Sequence, residues 1–282
     1  MLNIFLQVPR LLKVIQREHQ VVEELVARYK FDFVISDNRF GCWTNNAKTV
    51  FITHQVHILM PPALKLAEPI INLFNRRFIN RFDACWIPDE PGSPYSGKLS
   101  ETKMRSAKYV GLLSRFTPGG VEEKKIYCLA IISGPEPQRT LFENLVTPGF
   151  EKLGCPCAIV RGVPGTARSW TKHAEVSITD HLPASEMQSL IGQSAWIVAR
   201  SGYSTIMDMA RMGAKAIFVP TPGQTEQEYL AARLENEGVA FCQSQQTFNL
   251  SVALPSAEEY SGFAVNDQQP NLLIDAIEEL IS

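Results

Sequence analysis

Short apolar runs alternate along the chain with longer stretches in which apolar residues recur every three or four positions. The runs fall at 33–36 (FVIS), 50–53 (VFIT) and 84–87 (ACWI), then at 126–132, 157–161, 175–179, 196–199, 215–219 and 239–242. Runs this short predict buried strands, and their alternation with helical periodicity predicts an α/β fold with largely parallel sheets. Helices are predicted at 2–29, 64–81, 138–153, 185–193, 204–212, 225–236 and 270–281. In the first, Leu12, Ile15, Val22 and Val26 fall near one face, and Pro9 marks a break or restart. In the second, Leu66, Ile70, Phe74 and Phe78 repeat at four-residue spacing beside Lys65, Arg76, Arg77 and Arg81. Such a stripe either packs into a core or, with its basic flank, lies on an anionic membrane.

Turn-forming residues divide the pattern. Residues 88–105 are rich in Pro, Gly, Ser and charge and read as a surface loop, and 114–125 (SRFTPGGVEEKK) reads as a linker. The expected organisation is a partial Rossmann-like domain at 1–113, the linker at 114–125, a complete doubly wound domain at 126–245, and a carboxyl-terminal extension with a helix at 246–282. The amino-terminal part opens with a helix, where a doubly wound domain opens with a strand and its glycine-rich turn.

Composition narrows the function. Lys and Arg number 27 against 29 Asp and Glu, a net charge of −2, so no nucleic-acid partner is expected. No apolar run approaches the about 18 residues that span a bilayer, and the first basic residue, Arg10, comes too late for a secretory signal. Cys42, Cys85, Cys128, Cys155, Cys157 and Cys242 include one C-P-C and no C-x-x-C, so they read as reduced, buried thiols. The expected localisation is cytoplasmic, and no metal site or cofactor is expected.

Three strand-to-helix junctions carry candidate chemistry, because open α/β sheets bind ligands beyond the carboxyl ends of their strands. In ISGPEPQRT, 132–140, Ser133 and Gly134 follow a strand directly and Pro137 can sit in the first helical turn. In ARSGYSTIMDMARMG, 199–213, Arg200 offers a cation, Ser201 and Gly202 a small turn, and Ser204 and Thr205 a cap or phosphate donors. Asp208, one turn on, can accept both hydroxyls of a ribose or simply complement the helix dipole. In VPTPGQTEQEYLA, 219–231, Gln224, Gln227 and Glu228 suit sugar hydroxyls, although Thr225 and Glu228 also form a capping-box pattern.

Taken together, the three junctions resemble the carboxyl-terminal domain of family 28 glycosyltransferases, the group that includes the lipid II N-acetylglucosaminyltransferase. The resemblance covers 126–245 and implies the GT-B fold, two Rossmann-type doubly wound domains, with the amino-terminal one incomplete here. It implies transfer of a sugar from a nucleotide donor, expected to be a UDP-sugar, to an acceptor that is lipid-linked in that group. By the resemblance Ser133 and Gly134 lie near the diphosphate, Asp208 holds the ribose, Gln227 and Glu228 meet the sugar, and the uracil rests on backbone at Leu182 to Ala184. The lipid II enzymes have two glutamines where this chain has Gln227-Glu228. More weakly, 31–41 and 50–57 resemble the acceptor domain, placing Asp37, His54 and His57 at strand ends. His54 could orient or deprotonate an acceptor hydroxyl, or serve as a structural hydrogen-bonder.

The same resemblance predicts that Met1 is internal to a longer reading frame, that the chain alone turns over poorly, and that its open sheet edge favours self-association. Peripheral contact with the inner face of a membrane is a further expectation. The alternatives are a nucleotide-sugar 2-epimerase, which needs no acceptor, and a donor-binding subunit that needs a partner for activity.

Overall fold

The computed structural model describes residues 2–118, 122–163, 165, 169–264 and 271–281. The chain forms two compact units, Met1–Leu113 together with Gln269–Ser282, and Ser114–Gln268. Of the expected linker, residues 119–121 lie outside the described residues, and its remainder groups with the second unit.

The first unit opens with helix α1, Leu2–Tyr29, which runs unbroken through Pro9. The expected break does not occur, and the helix gives up only the backbone bond that the proline nitrogen cannot donate. Ile15 and Val26 are buried, whereas Leu12 is exposed, so the inward stripe is narrower than the sequence pattern implied. Polar contacts supplement it. His19 stacks on Trp43 at 4.1 Å and its Nδ1 lies 2.9 Å from the Trp43 carbonyl, while Glu18 accepts from Arg39 and Glu23 from Asn46. Gly41 sits where the loop crosses α1; a Cβ there would lie 2.4 Å from the Ile15 carbonyl oxygen and 2.5 Å from Glu18 Cβ.

Strands β1 (Phe33–Asp37) and β2 (Lys48–Ile52), helix α2 (Glu68–Ile79), and strands β3 (Ala84–Ile87) and β4 (Ala107–Tyr109) follow in chain order. The four strands form a parallel sheet in the order β1-β2-β3-β4. A 3-10 turn, Pro62–Ala67, leads into α2, so the predicted helix 64–81 begins as a tighter coil. The stretch 88–105 is more than a surface loop. Asp89 is fully buried and accepts from the Ser96 backbone N–H at 2.7 Å and from the Ser96 hydroxyl, and Ser93 and Ser100 are buried beside it. A carboxylate taken out of water needs such donors, and the serines supply them.

The second unit contains β5 (Ile126–Ile131), α3 (Gln138–Lys152), β6 (Cys157–Val160), β7 (Thr171–His173), β8 (Val176–Thr179) and α4 (Ala184–Gly192). It continues through β9 (Ser194–Ala199), α5 (Tyr203–Met212), β10 (Ala216–Phe218), α6 (Thr225–Asn236), β11 (Phe241–Cys242) and α7 (Leu250–Ala257). Its sheet runs β11-β10-β9-β5-β6-β8-β7, parallel except for the β7–β8 pair. Phe142, Val146 and Phe150, four residues apart on α3, pack with Cys128, Ile159, Ile217 and Val219 in one core. The expected extension at 246–282 is split. Leu250, Ala253, Leu254 and Ala257 of α7 enter that same core, while α8 (Leu272–Ile281) groups with the first unit. There Ala276 joins Val50, Trp86 and Val110, and Lys48 donates to the Leu280 carbonyl at 2.8 Å.

The contact at Gly41 predicts a stability loss that owes nothing to function. Gly41→Ala forces backbone against a carbonyl and a Cβ, neither of which is a flexible chain end, and costs about 1–3 kcal/mol in thermal or urea unfolding. An unchanged unfolding midpoint would contradict this crossing geometry.

Candidate functional site

Sheet order in the second unit fixes where a ligand can sit. From β5 the chain moves outward through β6 on one side and later through β9 on the other, so the carboxyl ends of β5 and β9 flank a topological switch point. The turns leaving β5, β9 and the adjacent β10 are the three junctions found in the sequence. They are brought together by the sheet order and by direct bonds.

After β5, Gly134 has φ +107° and nothing within 4 Å of where a Cβ would be, so the turn is open on its outer side. Helix α3 begins at Gln138 with Pro137 as its cap residue, one position earlier than the first-turn placement expected for it. Glu136 closes this end. Its carboxylate accepts from the Thr140 hydroxyl at 2.9 Å, the Thr140 N–H at 3.2 Å and Arg139 Nε at 2.6 Å, and these bonds lower its pKa. An acidic side chain therefore already occupies one of the N–H groups that would otherwise attract an anion here.

The turn after β9 is built on Arg200, whose side chain points inward. The sequence suggested a cation beside the ligand; the structure shows a guanidinium only 2 % exposed. It donates to the carbonyls of Val219 (3.0 Å), Pro220 (3.2 Å) and Gln138 (3.2 Å), and to Gln245 Oε1 at 2.6 Å. Its Cζ lies 4.1 Å above the Phe142 ring. Burial lowers its pKa to about 10, so it remains charged at neutral pH. Ser201 is also fully buried and donates to the Gln227 carbonyl at 2.8 Å, joining this turn to α6.

Gly202 caps α5 and has nothing within 4 Å of where a Cβ would be; no side chain caps that helix. Ser204 is exposed and Thr205 half-buried in its first turn. One turn on, Asp208 accepts from Ser114 Oγ at 2.7 Å and lies 3.4 Å from Arg115 Nε. Burial raises its pKa, and Ser114 and Arg115 oppose that rise.

At the third junction Gln224 is the cap residue of α6, and its side chain makes no cap bond. The capping box expected from Thr225 and Glu228 does not form. Gln227 Oε1 accepts from the Thr221 N–H at 2.8 Å, and Glu228 Oε1 from the Gly223 N–H at 2.9 Å. Both side chains thus shape the 220–224 turn. Leu182 to Ala184 lead into α4, whose cap, Pro183, is extended and makes no side-chain bond.

Several groups here were missed in the sequence. Arg161, directly after β6, donates from Nε to Glu143 at 2.6 Å and from Nη1 to Asp180 at 3.0 Å, while Arg139 donates to Glu143 at 2.8 Å. The i, i+4 spacing of Arg139 and Glu143 was a usable signal; the approach of Arg161 and Asp180 depends on strand order. His181 Nδ1 is buried with no hydrogen-bond partner.

In the first unit, Asp37 ends β1 and is exposed, and His54 follows β2, so both lie toward the carboxyl edge of that sheet. His57 is engaged structurally, its Nε2 3.1 Å from Glu68 Oε1. Among the described residues no cluster of His, Cys, Asp and Glu is arranged to hold a metal ion.

Comparison with known proteins bears on the second unit and on the fold. Residues 170–256 match the glycosyltransferase family 28 C-terminal domain. A UDP-N-acetylglucosamine–N-acetylmuramyl-(pentapeptide) pyrophosphoryl-undecaprenol N-acetylglucosamine transferase of Pasteurella multocida is 30% identical over 118 residues, 39% of this chain. That match spans 32% of the relative's own length. Among solved structures, Acinetobacter baumannii MurG is similar with a TM-score of 0.56 at 15% identity, covering 95% of this chain and 78% of that one. A putative UDP-N-acetylglucosamine 2-epimerase of Listeria monocytogenes is similar with a TM-score of 0.58 at 11% identity, covering 95% and 77%. These likenesses establish the shared GT-B architecture.

Arg200 supports the turns from beneath. Arg200→Ala leaves three carbonyls and a glutamine oxygen without their donor and is expected to cost about 3–5 kcal/mol in urea unfolding. Exposed Ser204→Ala is expected to stay within about 0.5 kcal/mol. A loss below about 1 kcal/mol for Arg200→Ala would show that the buried cation is not a support.

Proposed function

We propose that this chain binds a nucleotide-sugar, a UDP-sugar in our reading, at the carboxyl edge of the second unit's sheet and acts as a glycosyltransferase. One observation carries the reading: two glycine turns, at Gly134 and Gly202, open onto unfilled space at the switch point, beside an uncapped helix start. Such a start offers unpaired N–H groups and a favourable dipole to a diphosphate.

In this reading Ser133 and Gly134 lie along the diphosphate, with Ser204 and Thr205 at its other side. Asp208 takes the ribose hydroxyls, exchanging its bond from Ser114 for them. The base rests on the backbone of Leu182 to Ala184. Gln224, Gln227 and Glu228 meet the sugar directly or through the turn they shape. Arg200 and Ser201 act as positioning residues, because their polar groups are turned inward to protein carbonyls. Asp37 and His54 are assigned to the acceptor, with His54 orienting its hydroxyl or taking the proton.

The chemistry is direct displacement. An acceptor oxygen forms the new bond to the anomeric carbon as the bond to the phosphate oxygen breaks, the electron pair leaves with UDP, and the hydroxyl proton passes to a base. Charge growing on the departing diphosphate is stabilised by fixed N–H dipoles and by the buried Arg200 charge beneath them. The acceptor we favour is lipid-linked, with the protein peripheral to the inner face of a membrane.

A 2-epimerase would use the same donor site without an acceptor, and the likeness to the Listeria protein keeps that reading in play. Product analysis separates the two: transfer releases UDP only when acceptor is present, whereas epimerisation changes the sugar with none.

Calorimetric titration of nucleotide-sugars tests donor binding. Asp208→Ala is expected to weaken UDP binding by about 1.5–3 kcal/mol in a folded protein, the range of a charge-assisted hydrogen bond. Unchanged affinity would remove Asp208 from the site. Gln227→Ala is expected to weaken the intact UDP-sugar while sparing UDP, and equal losses for both ligands would overturn its assignment to the sugar.

A further inference from the structure

Helix α2 is inverted. Its buried face carries Glu68, Asn72 and Asn75 with Ile79, while Ile70, Leu73 and Phe74 point outward. Leu66, in the turn before it, is 97 % exposed, and Ile70, Leu73 and Phe74 are 60 %, 62 % and 57 % exposed. Core packing, the first reading of this stripe from sequence, accounts for Phe78 in part and for none of these four.

The inner face explains the inversion. Asn72 accepts from the Ile58 N–H at 2.7 Å and donates to the Ile58 carbonyl at 2.9 Å. Asn75 donates to the carbonyls of Gln55 and Val56, each at 3.0 Å. Glu68 accepts from the Met60 N–H at 2.9 Å and from Lys65 Nζ at 2.7 Å. Lys65 and that N–H, with His57, hold the Glu68 carboxyl down to about 2. The helix thus turns its asparagines and Glu68 to the irregular backbone of 55–60, and Ile70, Leu73 and Phe74 remain outside.

The outer stripe continues into charge. Residues 66, 70, 73/74, 77 and 81 recur at helical spacing, so the apolar row runs into Arg77 and Arg81, with Arg76 alongside. Between residues 61 and 81 the sole acid is Glu68, buried and already paired with Lys65. A stripe of exposed aliphatic and aromatic side chains bordered by arginines, with no outward acid, complements a surface that is both apolar and anionic. A second copy of the same stripe would bring arginines without acids to the contact.

We propose that the outer face of α2 with the preceding turn, Leu66 to Arg81, docks on an anionic lipid bilayer. The face seats its apolar row in the headgroup boundary and its arginines among lipid phosphates. No helix among the described residues is long and apolar enough to cross a membrane, so this contact is interfacial. It gives the peripheral placement of the proposed function a named surface, and it is tested without donor or acceptor so that either can fail alone.

The test is co-sedimentation of the full chain with phosphatidylcholine vesicles, with and without one-third phosphatidylglycerol. The wild type is expected to sediment with the anionic vesicles and far less with the neutral ones. Replacing Leu66→Ser, Ile70→Ser and Phe74→Ser together should weaken binding about tenfold or more, since the buried apolar area is lost. Arg77→Gln should weaken anionic binding about fivefold, the value of one basic residue near such a surface. All four positions are exposed or at the solvent face, so thermal midpoints and UDP affinity should stay at wild-type values. Absent vesicle binding, equal binding to both vesicle types, or undiminished binding by the triple variant would overturn the proposal. Concentration-dependent dimerisation abolished by the triple variant would also overturn it, assigning the face to a second copy.

Discussion

A buried guanidinium without a carboxylate holds the candidate site in place. Arg200 leaves the end of β9 and is met by carbonyls from the end of β10 and the start of α3, by Gln245, and by the face of Phe142. Each neutral acceptor offsets part of the cost of removing the cation from water, and none neutralises it. Two consequences follow. The three turns at the switch point cannot move independently, because one side chain is bonded to elements of all three. The net positive charge is also held among the same three turns that carry Gly134 and Gly202, and in the proposed reading it favours an anionic ligand there.

This arrangement explains why the three junctions of the candidate site were legible in the sequence and much of their wiring was not. Small residues directly after an apolar run mark a strand end followed by a helix start, and Ser133-Gly134 and Ser201-Gly202 stand at such junctions in the structure. Which way a long side chain leaves the turn is decided by the strands beside it. Arg200 therefore read as a ligand-facing cation, and only the order β10-β9-β5 shows the carbonyls that draw it inward. The same limit hid the link from Arg161 to Glu143 and Asp180, which joins residues on three separated segments. Gln227 and Glu228 were placed correctly at a helix start, but their oxygens also serve the backbone of the turn before it.

The misreadings elsewhere have similar causes. Residues 250–257 were grouped with a carboxyl-terminal extension, yet the segment is apolar on enough of its surface to enter the second unit's core as α7. Pro9 suggested a break that the long α1 absorbs. In α2 the periodicity was real, but its direction was set by the irregular loop 55–60, several of whose backbone groups bond to the asparagines and Glu68. Periodicity reports that a helix has two faces; the identity of the inward one comes from what lies beneath it.

Hydrogen–deuterium exchange of the chain with and without UDP bears most directly on the central claim, that the nucleotide binds at the carboxyl edge of the second unit's sheet. The account predicts slower exchange in three separated stretches, 132–140, 182–186 and 202–208, because ligand contact and the Arg200 support should stabilise them together. Protection confined to the first unit, or no change at these stretches under saturating UDP, would contradict it.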